Sequence, residues 1–500
     1  MDTFGLLLQG FSNALSLQNL FFASMGCLLG TLVGVLPGIG PTAGIAILLP
    51  ITTLLPPIPA IVMLAAVYYG SMYGGSTTSI LMNVPGEIAS IATCTDGYQM
   101  AKQGRAGPAL AIAAISSFIA GTLGLVGLCF FAPKLANIAL KIGPPESFGI
   151  TVLAFSMIVS LSGKSLLKGL LSGVMGMLVC MVGLDPHSGL NRFTFGSITL
   201  MGGLDFIAII MGLFAMTEVF KNVGAEIPSI FSAPLRSLII KWSELKQCMG
   251  AILRATFLGF FLGCLPGLGP GVVSFISYDF EKRASKNRAN FGKGAIEGVA
   301  APEGANNAVT AGGFVPLLTL GIPPSPALAV LMGGLMLYGL QPGPLLFEKQ
   351  PVFVWTVIAS MYIGNVILLI LNLPLVGIWA RMVRVPYHII APLIILFCFI
   401  GTYSVRNRIF DVGTCLAFGI IGLVMDKLKV PFVPLAIALI LTPMMETYLR
   451  QTISMGGGSL AILWDKPIAL TLIGAGLLTM AFTVYLRLRW TKAKDVFGVT

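Results

Sequence analysis

This sequence contains few charged residues. Only 10% of its 500 residues are charged, while 56% are hydrophobic; an average soluble protein has about 25% charged residues. Residues 3–86 contain no Asp, Glu, Lys, Arg or His. Because one bilayer span needs roughly 20 mainly apolar residues, this scarcity excludes an ordinary soluble domain and predicts a membrane protein.

Other absences argue against an enzyme or a metalloprotein. The eight cysteines are dispersed and form no CxxC pair, which disfavours a disulfide framework or a zinc site. The two histidines, His187 and His388, do not form a paired zinc-binding motif, and we interpret both as structural. Residues 163–165 end like a phosphate-binding loop, but that motif requires Gly where this chain has Ile158. No nucleophile elbow is present, so we expect no catalytic residues, no metal and no organic cofactor.

The N-terminus lacks the basic segment of a cleavable signal peptide, since the chain opens with Met1-Asp2-Thr3. We therefore expect the spans themselves to direct membrane insertion. The net charge of +11 comes from bases spread over short loops and a C-terminal tail. Cytoplasmic loops of membrane proteins are enriched in Lys and Arg, and this explains the charge better than nucleic-acid binding.

Glycine and proline, in contrast, are abundant and ordered. The stretch GVLPGIGPTAG at 34–44 returns as GCLPGLGPGVV at 263–273, 229 positions later. A second Pro-containing break at Pro85 recurs at Pro323, 238 positions later. Such interruptions remove helical hydrogen bonds, and irregular backbone at membrane depth is tolerated where it is buried or faces a cavity. The chain is thus expected to contain broken or re-entrant helices in two repeats.

These features predict an all-α polytopic membrane protein with roughly a dozen transmembrane helices and two broken-helix repeats. Residues 1–220 form the first repeat, 221–248 a cytoplasmic linker and 249–500 the second repeat. In the first repeat we expect a glycine-faced span ending near residue 35, a span at 59–73 followed by a polar segment at 74–87, and a polar loop at 87–108.

The charge pattern predicts that the two repeats have inverted topology. The loop at 279–293 carries five Lys or Arg residues, whereas its counterpart at 49–60 has no charge. The bias reverses in the other pair of loops, where Lys102 and Arg105 face a nearly neutral stretch at 341–350. Inverted repeats build transporters whose substrate site lies near the midplane, between broken helices.

The breaks also predict the chemistry of the site. Helix N-termini exposed by a break favour anions, and hydroxyl or carbonyl oxygens beside them suit a cation such as sodium. The predicted substrate-binding residues surround the four breaks: Gly38, Gly40, Pro41, Thr42, Asn83, Pro85, Gly86, Gly267, Gly269, Gly271, Asn306, Asn307, Pro323 and Ser325. The predicted ion-coupling residues are Ser76, Thr77, Thr78, Glu303, Thr310 and Thr319.

A structural interpretation stands beside each of these assignments. Hydroxyl and amide groups in membrane helices often bond across helices or cap their ends, so single members of the set could serve packing alone. Carboxylates within the membrane are costly and usually functional. Glu303 fits that description, while Glu87 and Glu297 could instead lie at the membrane interfaces.

Several blocks resemble the large membrane subunit of the tripartite tricarboxylate transporters, the TctA family. The blocks are GVLPGIGP, YGGSTTSILMNVPGE, DGYQMAKQGRAGPAL, FGKGAIEGVAAPEGANN, TLGIP and LQPGPLLF, and they occur in the order typical of that family. The resemblance covers nearly the whole chain. It departs from the family pattern at 324–328 and at 270–271, where prolines stand in place of small or hydroxylated residues.

The resemblance implies a multi-pass secondary transporter of the bacterial inner membrane. It implies two partners, a small integral membrane subunit and a periplasmic substrate-binding protein, and uptake of an organic carboxylate driven by an ion gradient, typically sodium. The departures leave a dicarboxylate or an aromatic carboxylate open beside citrate. Two alternatives remain: a stand-alone carboxylate transporter without a binding protein, and an intramembrane enzyme acting on lipid.

Overall fold

The computed structural model describes residues 3–36, 39–140, 143–160, 165–185, 188–222, 240–265, 267–382 and 387–497. Within these residues the first eleven helices are α1 (Thr3–Ala14), α2 (Leu17–Val35), α3 (Gly40–Thr52), α4 (Pro57–Met82), α5 (Ile91–Lys102), α6 (Ala106–Ala139), α7 (Pro144–Ser160), α8 (Leu166–Cys180), α9 (Ile198–Met201), α10 (Phe206–Ile210) and α11 (Thr217–Asn222). A π-helical turn, Met211–Met216, joins α10 to α11.

Eleven more helices follow in the described part of the chain: α12 (Trp242–Gly263), α13 (Pro270–Ala284), α14 (Glu297–Leu320), α15 (Pro326–Leu337), α16 (Pro344–Lys349), α17 (Pro351–Asn372), α18 (Val376–Met382), α19 (Tyr387–Arg406), α20 (Ile409–Lys427), α21 (Val433–Met455) and α22 (Pro467–Phe497). A two-stranded antiparallel hairpin, β1 (Gly183–Leu184) and β2 (Asn191–Arg192), pairs Gly183 with Arg192.

Seven of the described helices are long and apolar enough to cross a membrane: α2, α4, α6, α12, α17, α20 and α21. Five shorter apolar segments accompany them, in α3, α8, α15, α19 and α22. The prediction of an all-α polytopic membrane protein is confirmed. Helix α4 lies at the centre of the molecule, because nearly all of its residues are buried, including the polar ones at 76–79.

Glycines on α2 allow it to pack directly against the backbone of α4. A Cβ on Gly26 would lie 2.5 Å from the Met63 carbonyl oxygen, and one on Gly30 would lie 2.7 Å from that of Val67. Small residues that permit such close approach are typical of helix contacts in membranes. The spacing of four residues seen in the sequence is therefore a packing face.

The second repeat uses the same contact between α12 and α14. A Cβ on Gly259 would lie 2.5 Å from the Ala305 carbonyl oxygen, and one on Gly263 would lie 2.8 Å from that of Val309. Gly259 is the counterpart of Gly30 at the 229-residue offset. The internal repeat therefore corresponds to a repeated pair of helices.

Helices α4 and α14 are the buried central helices of the two repeats, and they end in the same way. The residue after α4, Asn83, has φ 58°, and the residue after α14, Gly321, has φ 69°. Left-handed backbone at this position commonly ends a helix, and Asn and Gly tolerate it best. In the first repeat the chain then folds back along α4, because a Cβ on Gly75 would lie 2.8 Å from Cγ of Glu87.

Two expectations for the first repeat were wrong in detail. The segment 74–82 is not separate from the preceding span, since α4 continues through it without interruption. The stretch 87–108 is not a polar loop, since it forms a 3₁₀ turn (Ile88–Ser90), α5 and the start of α6. Its polar side chains misled the prediction because several of them are buried and bonded within the protein.

The predicted division into repeats remains a prediction. Helix α12 begins at Trp242, inside the expected linker at 221–248, and residues 223–239 of that linker lie outside the described part of the chain.

Candidate functional site

The first break in each repeat joins a glycine-faced helix to a second, shorter helix. Helix α3 begins at Gly40 with φ 64°, and α13 follows Gly267, which has φ 87°. Pro41 and Thr42 lie in the first turn of α3, and Gly269 is the residue before α13. Gly38, also predicted to bind substrate, lies outside the described residues, as do Pro37, Pro266 and His187.

The first and second breaks of each repeat lie against one another. In the first repeat, a Cβ on Gly86 would overlap the carbonyl oxygen of Gly34. In the second, the Gly267 N–H donates to the Pro324 carbonyl oxygen over 3.3 Å. The two repeats meet here as well, because a Cβ on Gly271 would lie 2.6 Å from the Ile88 side chain. The sequence-predicted breaks are therefore gathered in one region.

Each second break ends at a side chain that caps the element after it. Glu87 Oε2 accepts a hydrogen bond of 2.9 Å from the Ala89 N–H at the 3₁₀ turn. Ser325 Oγ accepts one of 3.4 Å from the Leu328 N–H at the start of α15. Glu87 and Ser325 are 238 positions apart, so they occupy matching positions in the two repeats.

The two capping residues each bond to the central helix of the other repeat. Asn306 Nδ2 of α14 donates to Glu87 Oε1 over 3.3 Å. Tyr68 of α4 and Ser325 share a hydrogen bond of 3.4 Å between their hydroxyl oxygens. Tyr68 and Asn306 are themselves 238 positions apart. The structure thus contains one contact twice, once in each direction between the repeats.

A second carboxylate, Glu303, lies one helical turn from Asn306. Its side chain is fully buried, and its Oε1 accepts a 2.5 Å hydrogen bond from the Thr93 hydroxyl of α5. Glu303 Oε2 and Asn306 Oδ1 are buried, and neither has a hydrogen-bond partner in the described part of the chain. Buried polar atoms almost always have a partner, so these two oxygens are exceptions that call for a physical explanation.

Most of the predicted hydroxyl residues donate to the backbone of their own helix. Ser76 and Thr78 donate to the carbonyl oxygens three residues earlier in α4, at 2.6 and 3.2 Å. Within α14, Thr310 donates to the carbonyl oxygen three residues earlier, at 2.6 Å, and Thr319 donates to the one four residues earlier, at 2.7 Å. Thr77 is buried in α4. Because these hydroxyls already donate their protons to backbone carbonyls, they can contact a ligand only as acceptors, through their oxygen lone pairs.

The remaining predicted residues divide between the buried region and its edge. Asn307 is buried and donates to the Glu303 carbonyl oxygen over 3.1 Å, and Pro323 is buried beside Pro324. Asn83 is exposed, so the structure gives it a helix-ending role and does not bring it to the buried carboxylates. Pro85 is half-buried and lies in the chain between the exposed Asn83 and the buried Glu87.

The other buried glutamate of α14 has a sufficient set of partners. Glu297 Oε1 accepts 2.8 Å hydrogen bonds from Gln247 Nε2 and from Asn287 Nδ2. It lies at the first residue of α14, where a negative charge is favoured by the helix dipole. A structural role therefore accounts for Glu297.

Two cavities lie at opposite ends of α14. One, of about 230 Å³, is lined at the C-terminal end by Gly321 and Ile322, with further walls from α7, α21 and the 341–345 loop. The other, of about 400 Å³, lies at the N-terminal end beside Glu297 and is lined by Arg105 and Lys293. The carboxylate region between them is thus flanked by space on both sides.

Asp96 is an important residue that the sequence did not single out. It is fully buried in α5, and its Oδ1 accepts N–H bonds of 2.8 to 2.9 Å from Gly292, Gly294 and Ala295. Its Oδ2 accepts a 2.8 Å bond from the Tyr278 hydroxyl. An acidic residue in a stretch that proves to be a buried helix was the available signal, and the prediction of a loop concealed it.

Comparison with known proteins identifies the family to which the chain belongs. The family model described as "Tripartite tricarboxylate transporter TctA family" matches residues 20–437. A 52.8 kDa protein of Agrobacterium vitis, described as uncharacterized and from the TAR-I ttuC' 3'region, is 44% identical over 498 residues, 99% of each chain. A second Agrobacterium vitis protein, from the TAR-II ttuC' 3'region, is 44% identical over 239 residues, 48% of this chain and 98% of its own length. No solved structure matches. The chain belongs to the tripartite tricarboxylate transporter TctA family.

Proposed function

We propose that this chain is the permease subunit of a binding-protein-dependent tripartite system that takes up an organic carboxylate across the bacterial inner membrane. Its partners are a small integral membrane subunit and a periplasmic substrate-binding protein, and an inward ion gradient, of sodium, drives uptake. The observation that carries the proposal is the doubled contact between repeats, Asn306 with Glu87 and Tyr68 with Ser325, at the meeting point of the breaks. Family membership supports the substrate class.

The repeats are proposed to have inverted topology. Contacts between α4 and α14 run in opposite order: Tyr68 lies 6.3 Å from Phe314 between ring centroids, and Glu87, which packs on Gly75, bonds to Asn306. As the residue number rises along α4, the residue number of its neighbour on α14 falls. Two equivalent helices with this relation are expected when a twofold axis lies in the membrane plane.

The substrate carboxylate is proposed to bind where the shorter helices begin. Helices α3, α13 and α15 start at the breaks, and their N-terminal N–H groups favour negative charge. The predicted residues that line these starts are Gly40, Pro41 and Thr42 in one repeat and Gly269, Gly271 and Ser325 in the other. The space beside Gly40 and Gly269 is open, so a ligand can approach the backbone closely at those two positions.

Alternating access is proposed to connect the site to one cavity at a time. Positive-inside orientation puts the basic 279–293 loop in the cytoplasm, so the 400 Å³ cavity beside Lys293 faces inward. The 230 Å³ cavity beside Gly321 then faces outward, where a periplasmic protein would release substrate. Glycine contacts between the helix pairs leave few side chains to obstruct relative sliding.

Reconstitution of the purified chain into proteoliposomes tests the proposal. With the small subunit and binding protein present, a labelled tricarboxylate or dicarboxylate is expected to accumulate only under an inward sodium gradient. Uptake without the binding protein would establish the stand-alone alternative. Gradient-independent, nonsaturable flux would indicate a channel, and conversion of a lipid substrate without uptake would revive the enzyme alternative.

A further inference from the structure

Two buried carboxylates, Glu303 and Glu87, have no basic partner among the described residues. Glu303 is 0% exposed and Glu87 is 7% exposed. Asn306 links them, because it donates to Glu87 Oε1 over 3.3 Å and lies one helical turn from Glu303 on α14. The other titratable neighbours are Tyr73 and Cys94 at Glu303 and Tyr68 at Glu87. Within the described residues neither carboxylate forms an ion pair with Lys, Arg or His. Two negative charges buried in this way repel each other and lack a counter-charge.

Two polar side chains on one face of α14 have oxygens that are not used in hydrogen bonds. Among the residues that the structure describes, Glu303 Oε2 and Asn306 Oδ1 have no hydrogen-bond partner, and the whole Asn306 side chain is buried. Because Glu303 and Asn306 are three residues apart in a helix, their side chains share a face. An unpartnered amide oxygen beside an unpartnered carboxylate oxygen is a set of acceptors without a donor. A positive charge is what such a set requires.

The matching position in the other half contains no charge. At the 238-residue offset, Glu87 corresponds to Ser325, Asn306 to Tyr68 and Glu303 to Ala65. There the hydroxyls of Tyr68 and Ser325 satisfy one another over 3.4 Å. The repeat therefore supplies an internal comparison, because the equivalent position has neutral side chains that satisfy one another without an ion. The two positions differ in the acids Glu87 and Glu303, which are replaced there by Ser325 and Ala65.

We propose that Glu303, Asn306 and Glu87 form a binding site for one monovalent cation, which enters as a sodium ion or as a proton. The inference rests on the proposed ion-coupled function and names the site at which coupling occurs. Hard cations bind oxygen ligands of this type. Thr93 positions Glu303 by donating to its other oxygen and leaves Oε2 free for the ion.

The location explains how the ion would control movement. Glu87 belongs to the first repeat, whereas Glu303 and Asn306 belong to the second, so the site exists only while α14 packs against the 3₁₀ turn. A bound cation holds the two repeats together. The empty site leaves two like charges facing each other, which favours separation of the same contact. The ion thus shifts the conformational equilibrium by binding one state better than the other.

Cation binding to the purified full-length chain in detergent tests the proposal without requiring transport. The melting temperature is measured in NaCl and in choline chloride at equal ionic strength, across pH 5.5 to 8.5. A sodium site is expected to raise the melting temperature in NaCl only. A proton site is expected to raise it as the pH falls, with no difference between the salts.

Variants assign the effect to the site. We expect Glu303→Gln and Glu87→Gln to weaken the apparent sodium affinity at least tenfold, or to flatten the pH response. Glu297→Gln changes an acid on the same helix that already accepts hydrogen bonds from Gln247 and Asn287, and it keeps the wild-type response. Asn306→Ala is the second variant if Glu303→Gln fails to elute as a folded protein, and it is expected to weaken the response likewise.

A wild-type response in Glu303→Gln, or in Asn306→Ala where that variant replaces it, overturns the proposal, as does a wild-type chain that responds to neither sodium nor pH. Proteoliposome uptake separates this from failure of the proposed function. If the wild type accumulates carboxylate and Glu303→Gln remains equally dependent on the ion gradient, the site is wrong and the function stands. If the cation response maps to the site but the wild type transports nothing, the function is wrong and the site stands.

Discussion

Replacing Asp96 by Ala should destabilise the protein by about 2–4 kcal/mol, because the carboxylate is the shared acceptor for four donors. A buried donor left without an acceptor costs about 1–3 kcal/mol. The full cost does not apply to all four donors, because Gly292 is exposed and Gly294 and Tyr278 are half-buried. Water can therefore replace part of their hydrogen bonding. The Ala295 N–H is buried and accounts for the largest share.

Denaturant unfolding of the purified chain in mixed micelles measures this loss as a change in the free energy of unfolding. Asp96→Asn should lose roughly half as much, about 1–2 kcal/mol, since its amide oxygen can still accept the backbone bonds. The matched control is Asp279→Ala, an exposed acid paired with Arg283 on the same helix, which should change stability by less than about 0.5 kcal/mol. A loss below about 1 kcal/mol for Asp96→Ala would refute the role of the carboxylate as an anchor.

Two further substitutions test the helix packing and the hairpin. Gly259→Ala places a methyl group against a backbone carbonyl of α14 and should lower the free energy of unfolding by about 1–3 kcal/mol or prevent α12 and α14 from packing. The control, Gly413→Ala, has open space around it and should be neutral or stabilising. Equal melting temperatures for the two variants would contradict the packing argument. Arg192→Ala removes bonds of 2.7 and 2.8 Å to Asp185 and Glu446 and should cost about 1–3 kcal/mol, against less than about 0.5 kcal/mol for Arg283→Ala. Thermal unfolding measures the stability of each variant beside its control. Equal losses of stability for Arg192→Ala and Arg283→Ala would exclude a structural role for the ion pairs that Arg192 of the hairpin forms with Asp185 and Glu446.

The sequence predicted the parts of the fold that depend on local pattern. Glycines every fourth residue in α2 indicated a packing face, and the duplicated prolines located the breaks. What the pattern could not supply was the partner of each break. Glu87 and Asn306 are 219 residues apart, and their pairing follows from the packing of α4 against α14 rather than from any local feature.

Polarity was the less reliable guide. The segment around Asp96 was predicted to be a loop because its residues are polar, although in the fold the Asp96 carboxylate accepts hydrogen bonds from the backbone at 292–295. Ser76 and Thr78 were predicted to couple an ion, which stays a prediction, and the sequence could not reveal that the backbone of their own helix already accepts their protons. Partner geometry decides the role of a buried polar group, and only the fold provides that geometry.

The exchange of contacts between repeats also has a consequence for biosynthesis. Asn306 emerges from the ribosome 219 residues after Glu87, a delay on the order of 10–40 s at translation rates of ~5–20 residues per second. During that interval Glu87 has no second-repeat partner, and the face of α4 that later contacts α14 is uncovered. A nascent chain arrested before residue 306 should therefore be recognised as incomplete by membrane quality control, even though its first repeat is fully translated.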